Sequence, residues 1–96
     1  MIPYSRQYLF PKDIKQVVKV LKSDFLTQGP QVEKFEKKIA KNCNIKYAVA
    51  LNSATSGLHL TCLALGLKKN DYLWTVPITF IASANCGLYC GAKIDL

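Results

Sequence analysis

The stretch that most limits the fold is the apolar run Tyr47-Ala48-Val49-Ala50-Leu51, followed at once by Asn52-Ser53-Ala54-Thr55-Ser56-Gly57-Leu58-His59. An apolar run without polar alternation reads as a strand buried on both faces, the habit of parallel sheets. Small hydroxyl residues then make a tight turn, and a helical pattern runs from about Thr55 to Leu65, with Gly66 placed to cap its end. The first N–H groups of such a helix lack intrahelical partners and lie at the positive end of its macrodipole, so the turn is suited to an anion such as phosphate. Ser53, Thr55 and Ser56 add hydroxyl donors, while Ala54 and Gly57 keep the backbone approachable. The same octapeptide also suits plain capping of the helix by Ser53 or Thr55, and both readings stand at this point.

The flanking segments favour an α/β arrangement. Met1 to Pro11 has no helical period and reads as an extended arm. From Lys12 to Lys22, Ile14, Val17, Val18 and Leu21 fall on one helical face, with Asp13 at the dipole's positive end. Ser23 to Pro30 breaks the period, and a second helix follows from Gln31 to about Asn42, acidic early and basic late. That divides the chain at residue 30, into the arm with its helix and turn (1–30) and the start of an α/β domain (31–96). Beyond the third helix, which is apolar on most sides and so expects cover, Tyr72 to Val76 forms the next strand and Pro77 closes it. A helix from Thr79 to about Gly91 and the beginning of a strand at Lys93-Ile94-Asp95-Leu96 complete the order. Strand, helix, strand, helix, strand implies a parallel sheet covered by helices. Its ligand crevice lies beyond the carboxyl ends of the strands, where both hydroxyl-rich turns, Asn52 to Ser56 and Pro77 to Phe80, fall.

Composition narrows the function classes. No apolar run approaches the roughly 18 residues of a membrane span, and the opening residues lack the apolar core of a signal peptide, so a cytoplasmic location is expected. The four cysteines, Cys43, Cys62, Cys86 and Cys90, lie in apolar stretches without a Cys-x-x-Cys pair and read as reduced core residues. His59 with Cys62, or Cys86 with Cys90, has one-turn spacing but lacks the two close ligand pairs usual at zinc, so no metal is expected. A formal charge of +7 suits an anionic partner. The lysines are spread along two helices, however, Lys12, Lys15, Lys19 and Lys22 on one and Lys34, Lys37, Lys38 and Lys41 on the other, with no interleaved aromatics for base stacking. Solvated helix faces are expected, and no nucleic acid. Neither Gly-x-Gly-x-x-Gly nor Gly-x-x-x-x-Gly-Lys-Ser/Thr occurs, which removes the two commonest nucleotide-phosphate loops. The single histidine, His59, offers no convincing triad.

Several motifs in order carry a family likeness: Tyr4-Ser5-Arg6-Gln7, Leu21-Lys22-Ser23-Asp24-Phe25-Leu26-Thr27-Gln28-Gly29-Pro30, Val32 to Glu36, Asn52 to His59, and Pro77-Ile78-Thr79-Phe80. From Tyr4 to Leu96 the chain resembles the DegT/DnrJ/EryC1/StrS sugar aminotransferases. The resemblance implies the N-terminal part of a fold-type I transferase large domain that uses pyridoxal 5′-phosphate. It further implies a homodimer that moves an amino group from glutamate to the 4-keto carbon of a UDP-linked deoxy sugar, as in pseudaminic acid or related surface-sugar synthesis. By the same resemblance Thr55, with the backbone of Ala54 and Ser56, matches the cofactor-phosphate turn, and Phe80 matches the aromatic residue that stacks on the pyridine ring. Tyr4, Asp24, Phe25, Leu26, Thr27 and Ala54 match positions lining the sugar-nucleotide site. The family's Schiff-base lysine and the aspartate that pairs with the pyridinium nitrogen match positions beyond Leu96, so this chain alone is expected to be inactive. The bottom-up alternative is a small basic α/β module that binds a phosphate-bearing ligand or polyanion without chemistry of its own.

Overall fold

Strand pairing in the computed structural model, which describes residues 2–96, is confined to the last quarter of the chain. Met1, part of the expected arm, lies outside the described residues. The chain divides into two compact units, Met1–Ala50 and Leu51–Leu96.

In the N-terminal unit, residues 2–10 carry neither helix nor strand. Helix α1 spans Pro11–Leu21, one residue earlier than its apolar period suggests, because Pro11 at the first helical position has the right φ and no N–H to lose. The Asp13 carboxylate accepts from the Phe10 N–H at 2.9 Å and closes that end. Helix α2 spans Pro30–Asn42, and Pro30, expected as part of the turn, again serves as the first helical residue. Asn44, at φ +53°, reverses the chain there: its N–H reaches the Lys41 carbonyl and that of Ile45 reaches the Ala40 carbonyl, a Schellman ending. Neither helix buries a residue.

The expected strand Tyr47–Leu51 does not form. A strand exists only through a neighbour's hydrogen bonds, and among the described residues none pairs with this segment, whose Tyr47, Val49 and Leu51 are exposed. Its Ala50 N–H is instead satisfied by the Glu36 carboxylate at 2.8 Å.

In the C-terminal unit, α3 spans Ala54–Ala64, β1 Tyr72–Trp74, α4 Ala82–Tyr89 and β2 Lys93–Asp95. β1 and β2 pair in parallel, with Tyr72 opposite Lys93, Leu73 opposite Ile94 and Trp74 opposite Asp95. α4 is the crossover between them, so the expected parallel α/β arrangement is present in small form. Leu73 and Ile94 face α4 at Gly87, where any Cβ would lie 2.8 Å from both side chains. Gly87 is thus the contact that lets helix and sheet meet. The small core comprises Cys62, Ala82, Cys86, Gly87 and Ala92. α3 is covered less than its apolar character suggests: among the described residues α4 alone packs on it, leaving Leu58, Leu60 and Leu63 exposed. Both helices end in Schellman turns on a left-handed glycine, Gly66 and Gly91. Pro77 to Phe80 bends instead of helical winding, so α4 starts three residues later than its period suggests.

Candidate functional site

The first turn of α3 shows which residue caps the helix and which donors the cap leaves over. Ser53 is the N-cap, extended at φ −159° and ψ 157°, and its Oγ accepts the Ser56 N–H at 3.2 Å while its carbonyl accepts the Gly57 N–H at 3.1 Å. Ser53 Oγ also lies 3.1 Å from Ser56 Oγ. These bonds occupy the third and fourth N–H groups and leave those of Ala54 and Thr55, which no acceptor among the described residues takes. Capping therefore leaves two backbone donors of the same turn without an acceptor among the described residues. Ser56, matched by its backbone to the phosphate turn, spends its N–H on Ser53 and offers outward only its hydroxyl.

Charge supports the same distinction. α1 and α2 each carry an acidic residue in the first turn, Asp13 and Glu33, which answers the helix dipole internally. α3 carries none. Its first turn thus has two backbone donors, the half-buried Thr55, and no carboxylate to repel an anion. These residues fit a phosphate group. On α2 the hydrogen bond and charge of Lys37 hold the Glu33 carboxyl below the usual glutamate range.

Phe80 belongs to the same unit, immediately before α4, and is 73% exposed. It lines an apolar cleft with Thr75, Val76, Pro77, Ile81 and Leu88; Ala54, Thr55 and Ser56 do not line that cleft. Its carbonyl accepts the Ser83 N–H at 3.1 Å, which fixes the backbone at the entry to α4.

The other matched residues belong to the N-terminal unit. Tyr4 is fully exposed in the irregular segment before α1. Asp24, Phe25, Leu26 and Thr27 form the connection from α1 to α2, shaped by Ser23, whose Oγ donates to the Val20 carbonyl at 2.7 Å. Phe25 and Leu26 line a small apolar cavity with Val20, Gly29 and Val32, whereas Asp24 and Thr27 do not line it. Gly29 is close-packed there: a Cβ would lie 2.8 Å from Phe25 Cβ. The structure thus gathers Phe25 with Leu26 and keeps Ala54, Thr55 and Ser56 on one turn.

Two features escaped the sequence. Glu36, which holds the backbone of Ala50, had no signal, since the partners are 14 residues apart. The cysteines divide where uniform burial was expected: Cys43 is exposed at the end of α2, because that helix buries nothing, while Cys62, Cys86 and Cys90 gather between α3 and α4. Burial, with the neighbouring thiols of Cys86 and Cys90, pushes the Cys62 thiol up. Among the described residues no group of three or more His, Cys, Asp or Glu side chains is arranged to hold a metal ion. The expected solvated lysine faces are observed, with Lys12, Lys15, Lys19, Lys22, Lys34, Lys37, Lys38 and Lys41 all exposed.

The sequence profile of the DegT/DnrJ/EryC1/StrS aminotransferase family matches residues 8–95. The chain belongs to that family. Over 95 residues it is 45% identical to the UDP-4-amino-4,6-dideoxy-N-acetyl-beta-L-altrosamine transaminase of Campylobacter jejuni, covering 99% of this chain and 25% of that protein. Solved structures agree with the fold of this DegT/DnrJ/EryC1/StrS chain. A candidate sugar aminotransferase, Spr1654 of Streptococcus pneumoniae, in its PLP form, superposes with a TM-score of 0.93 at 29% identity over 98% of this chain and 24% of its own. An aminotransferase from Psychrobacter cryohalolentis superposes at 0.86 with 28% identity, over 96% of this chain and 24% of its own. The chain therefore spans about a quarter of the length of the relatives it matches. No helix among the described residues is long and apolar enough to cross a membrane.

Proposed function

We propose that these residues are the N-terminal portion of a pyridoxal 5′-phosphate-dependent sugar aminotransferase, with the first turn of α3 as the seat of the cofactor's phosphate. The observation that carries this reading is the pair of N–H groups at Ala54 and Thr55, left over after Ser53 has capped the helix and set in a turn without acidic residues. When bound, the cofactor supplies the electron sink for amino-group transfer. This chain's part is to bind and orient it. The Ala54 and Thr55 N–H groups and the Thr55 and Ser56 hydroxyls donate to phosphate oxygens, and Phe80 stacks on the ring.

The whole enzyme, on this reading, transfers an amino group from glutamate to the 4-keto carbon of a UDP-linked deoxy sugar, in or near pseudaminic acid synthesis. The 45% identity to the Campylobacter jejuni transaminase supports that substrate class. Tyr4, Asp24, Phe25, Leu26, Thr27 and Ala54 contribute to the sugar-nucleotide site, residues 31–96 begin the cofactor domain, and the enzyme works in the cytoplasm as a homodimer. The lysine that attaches the cofactor is not among these residues, so the chain alone binds without catalysing.

Equilibrium dialysis of pyridoxamine 5′-phosphate against the chain tests the phosphate seat, since this form carries no aldehyde to react with surface lysines. Thr55→Val keeps the shape and removes one hydroxyl donor to a charged group. An affinity loss of about tenfold or more is expected, because such a bond contributes about 1.5–3 kcal/mol. Unchanged affinity would refute the role of Thr55. The exposed lysines of α1 favour one second reading, a polyanion-binding module. Steeply salt-dependent, saturable binding of nucleic acid would support it over the cofactor reading.

A further inference from the structure

Three of the four thiols meet where α3 packs on α4. Cys62 is the one buried residue of α3, at 7% exposure, and Cys86 on α4 is 4% exposed. Cys90 caps the same helix one turn later and is half-buried. Among the described residues α4 alone packs on α3, so Cys62 is buried against the helix that carries Cys86 and ends at Cys90, and both neighbouring thiols add to the burial that pushes the Cys62 thiol up. His59 and Tyr89 close the same seam edge to face, with ring centroids 5.2 Å apart. All four thiols are free.

We propose that Cys62, Cys86 and Cys90 form a peroxide-sensitive thiol cluster, in which oxidation at Cys90 closes a disulfide from α4 to Cys62 on α3. The inference stands independently of the cofactor reading. Cys90 is the point of entry because the other two thiols are shielded, and burial pushes the Cys62 thiol up, which slows it towards oxidants in solution. Hydrogen peroxide is the oxidant. The Cys90 thiolate attacks one peroxide oxygen; an S–O bond forms, the O–O bond breaks, and the departing hydroxide takes a proton to become water. The Cys62 sulfur then attacks the Cys90 sulfur, the S–S bond forms, and the S–O bond breaks. The hydroxide released takes the Cys62 proton and leaves as a second water. Both thiols are oxidised and the peroxide is reduced. Cys86, on the same helix face as Cys90, donates its thiol proton to the Ser83 carbonyl at 3.4 Å and takes no part in the bond. The bond fastens the helix that begins at Ala54 to the helix that follows Phe80.

Trypsin makes the test direct, because Cys62 lies in peptide 47–68 and Cys86 with Cys90 in peptide 70–93. The folded chain is treated with hydrogen peroxide, alkylated under denaturing conditions and digested. The expected result is loss of two of the four alkylatable thiols, with peptide 47–68 joined to peptide 70–93. The joined pair is lighter by about 2 Da than the sum of the free peptides. Four alkylated cysteines, a bond confined to peptide 70–93, or a bond to Cys43 would overturn the proposal. So would an equal yield of the joined pair from chain unfolded in urea, since packing would then have no part in it. Cys90→Ser should abolish the joined pair and Cys86→Ser should retain it; a joined pair that persists in Cys90→Ser overturns the assignment of Cys90. The wild-type map needs no variant to fold.

Discussion

Ser53 and Thr55, two residues apart, serve α3 in different ways: one completes the helix and the other stands beside N–H groups that the helix cannot use. That distinction was partly legible in the sequence, because capping and anion binding both follow from local donors and acceptors near one turn. What could not be read was which hydroxyl would cap, since that depends on the extended backbone at Ser53. Glu33 and Lys37 on α2 form an exposed i, i+4 pair in which the carboxyl is held below its usual range. A carboxyl lowered on folding contributes stability above its unfolded value and loses that contribution as pH falls through its folded value. Lys37→Gln, which keeps the helix propensity and removes the charge, should therefore lower helix content slightly at neutral pH. The difference from wild type should vanish on acidification below the glutamate range, as circular dichroism across a pH series would show. A difference that persists in acid would mean that the pair is not its cause.

At the scale of elements, apolar period was enough to find four helices, with Pro11 at one entry and Gly66 at one end as local signals, whereas the places of Pro30, Asn44 and Gly91 in the helix ends emerged only in the structure. Strands need partners distant in sequence. Tyr72–Trp74 has one in Lys93–Asp95, whereas the more apolar run at 47–51 has none among the described residues and stays irregular. The narrowest contact is Gly87 against Leu73 and Ile94. Gly87→Ala should destabilise the C-terminal unit by up to about 2 kcal/mol, because overpacking costs about 1–3 kcal/mol and the better helix former recovers about 1. Gly57→Ala is the control. Its Cβ would meet Leu51 Cδ1 at an ordinary 3.6 Å, so the helix gain alone should show. Denaturant midpoints for the two variants moving in the same direction would contradict this account of the α4 contact.

Taken whole, the chain buries little: Cys62, Ala82, Cys86, Gly87 and Ala92, all in the C-terminal unit, are the buried residues among those described. Many large apolar side chains are exposed, Trp74 at 79% among them. Protection should therefore be uneven. Helices of 11 and 13 residues that bury nothing are marginal in water, so hydrogen exchange should find α1 and α2 open and α3, α4 and the β1–β2 pair protected. Equal protection throughout would show that packing is not what stabilises the C-terminal elements. The proposed phosphate seat lies in the better-packed unit, which makes it accessible to one decisive measurement. Amide resonances of the nitrogen-labelled chain would be followed during titration with pyridoxamine 5′-phosphate, and separately with pyridoxamine, which lacks the phosphate. The account predicts saturable shifts centred on Ala54 and Thr55 with the phosphorylated ligand and none there with the other. Shifts that leave those two amides unmoved, or that pyridoxamine reproduces, would contradict the claim that the first turn of α3 holds a phosphate.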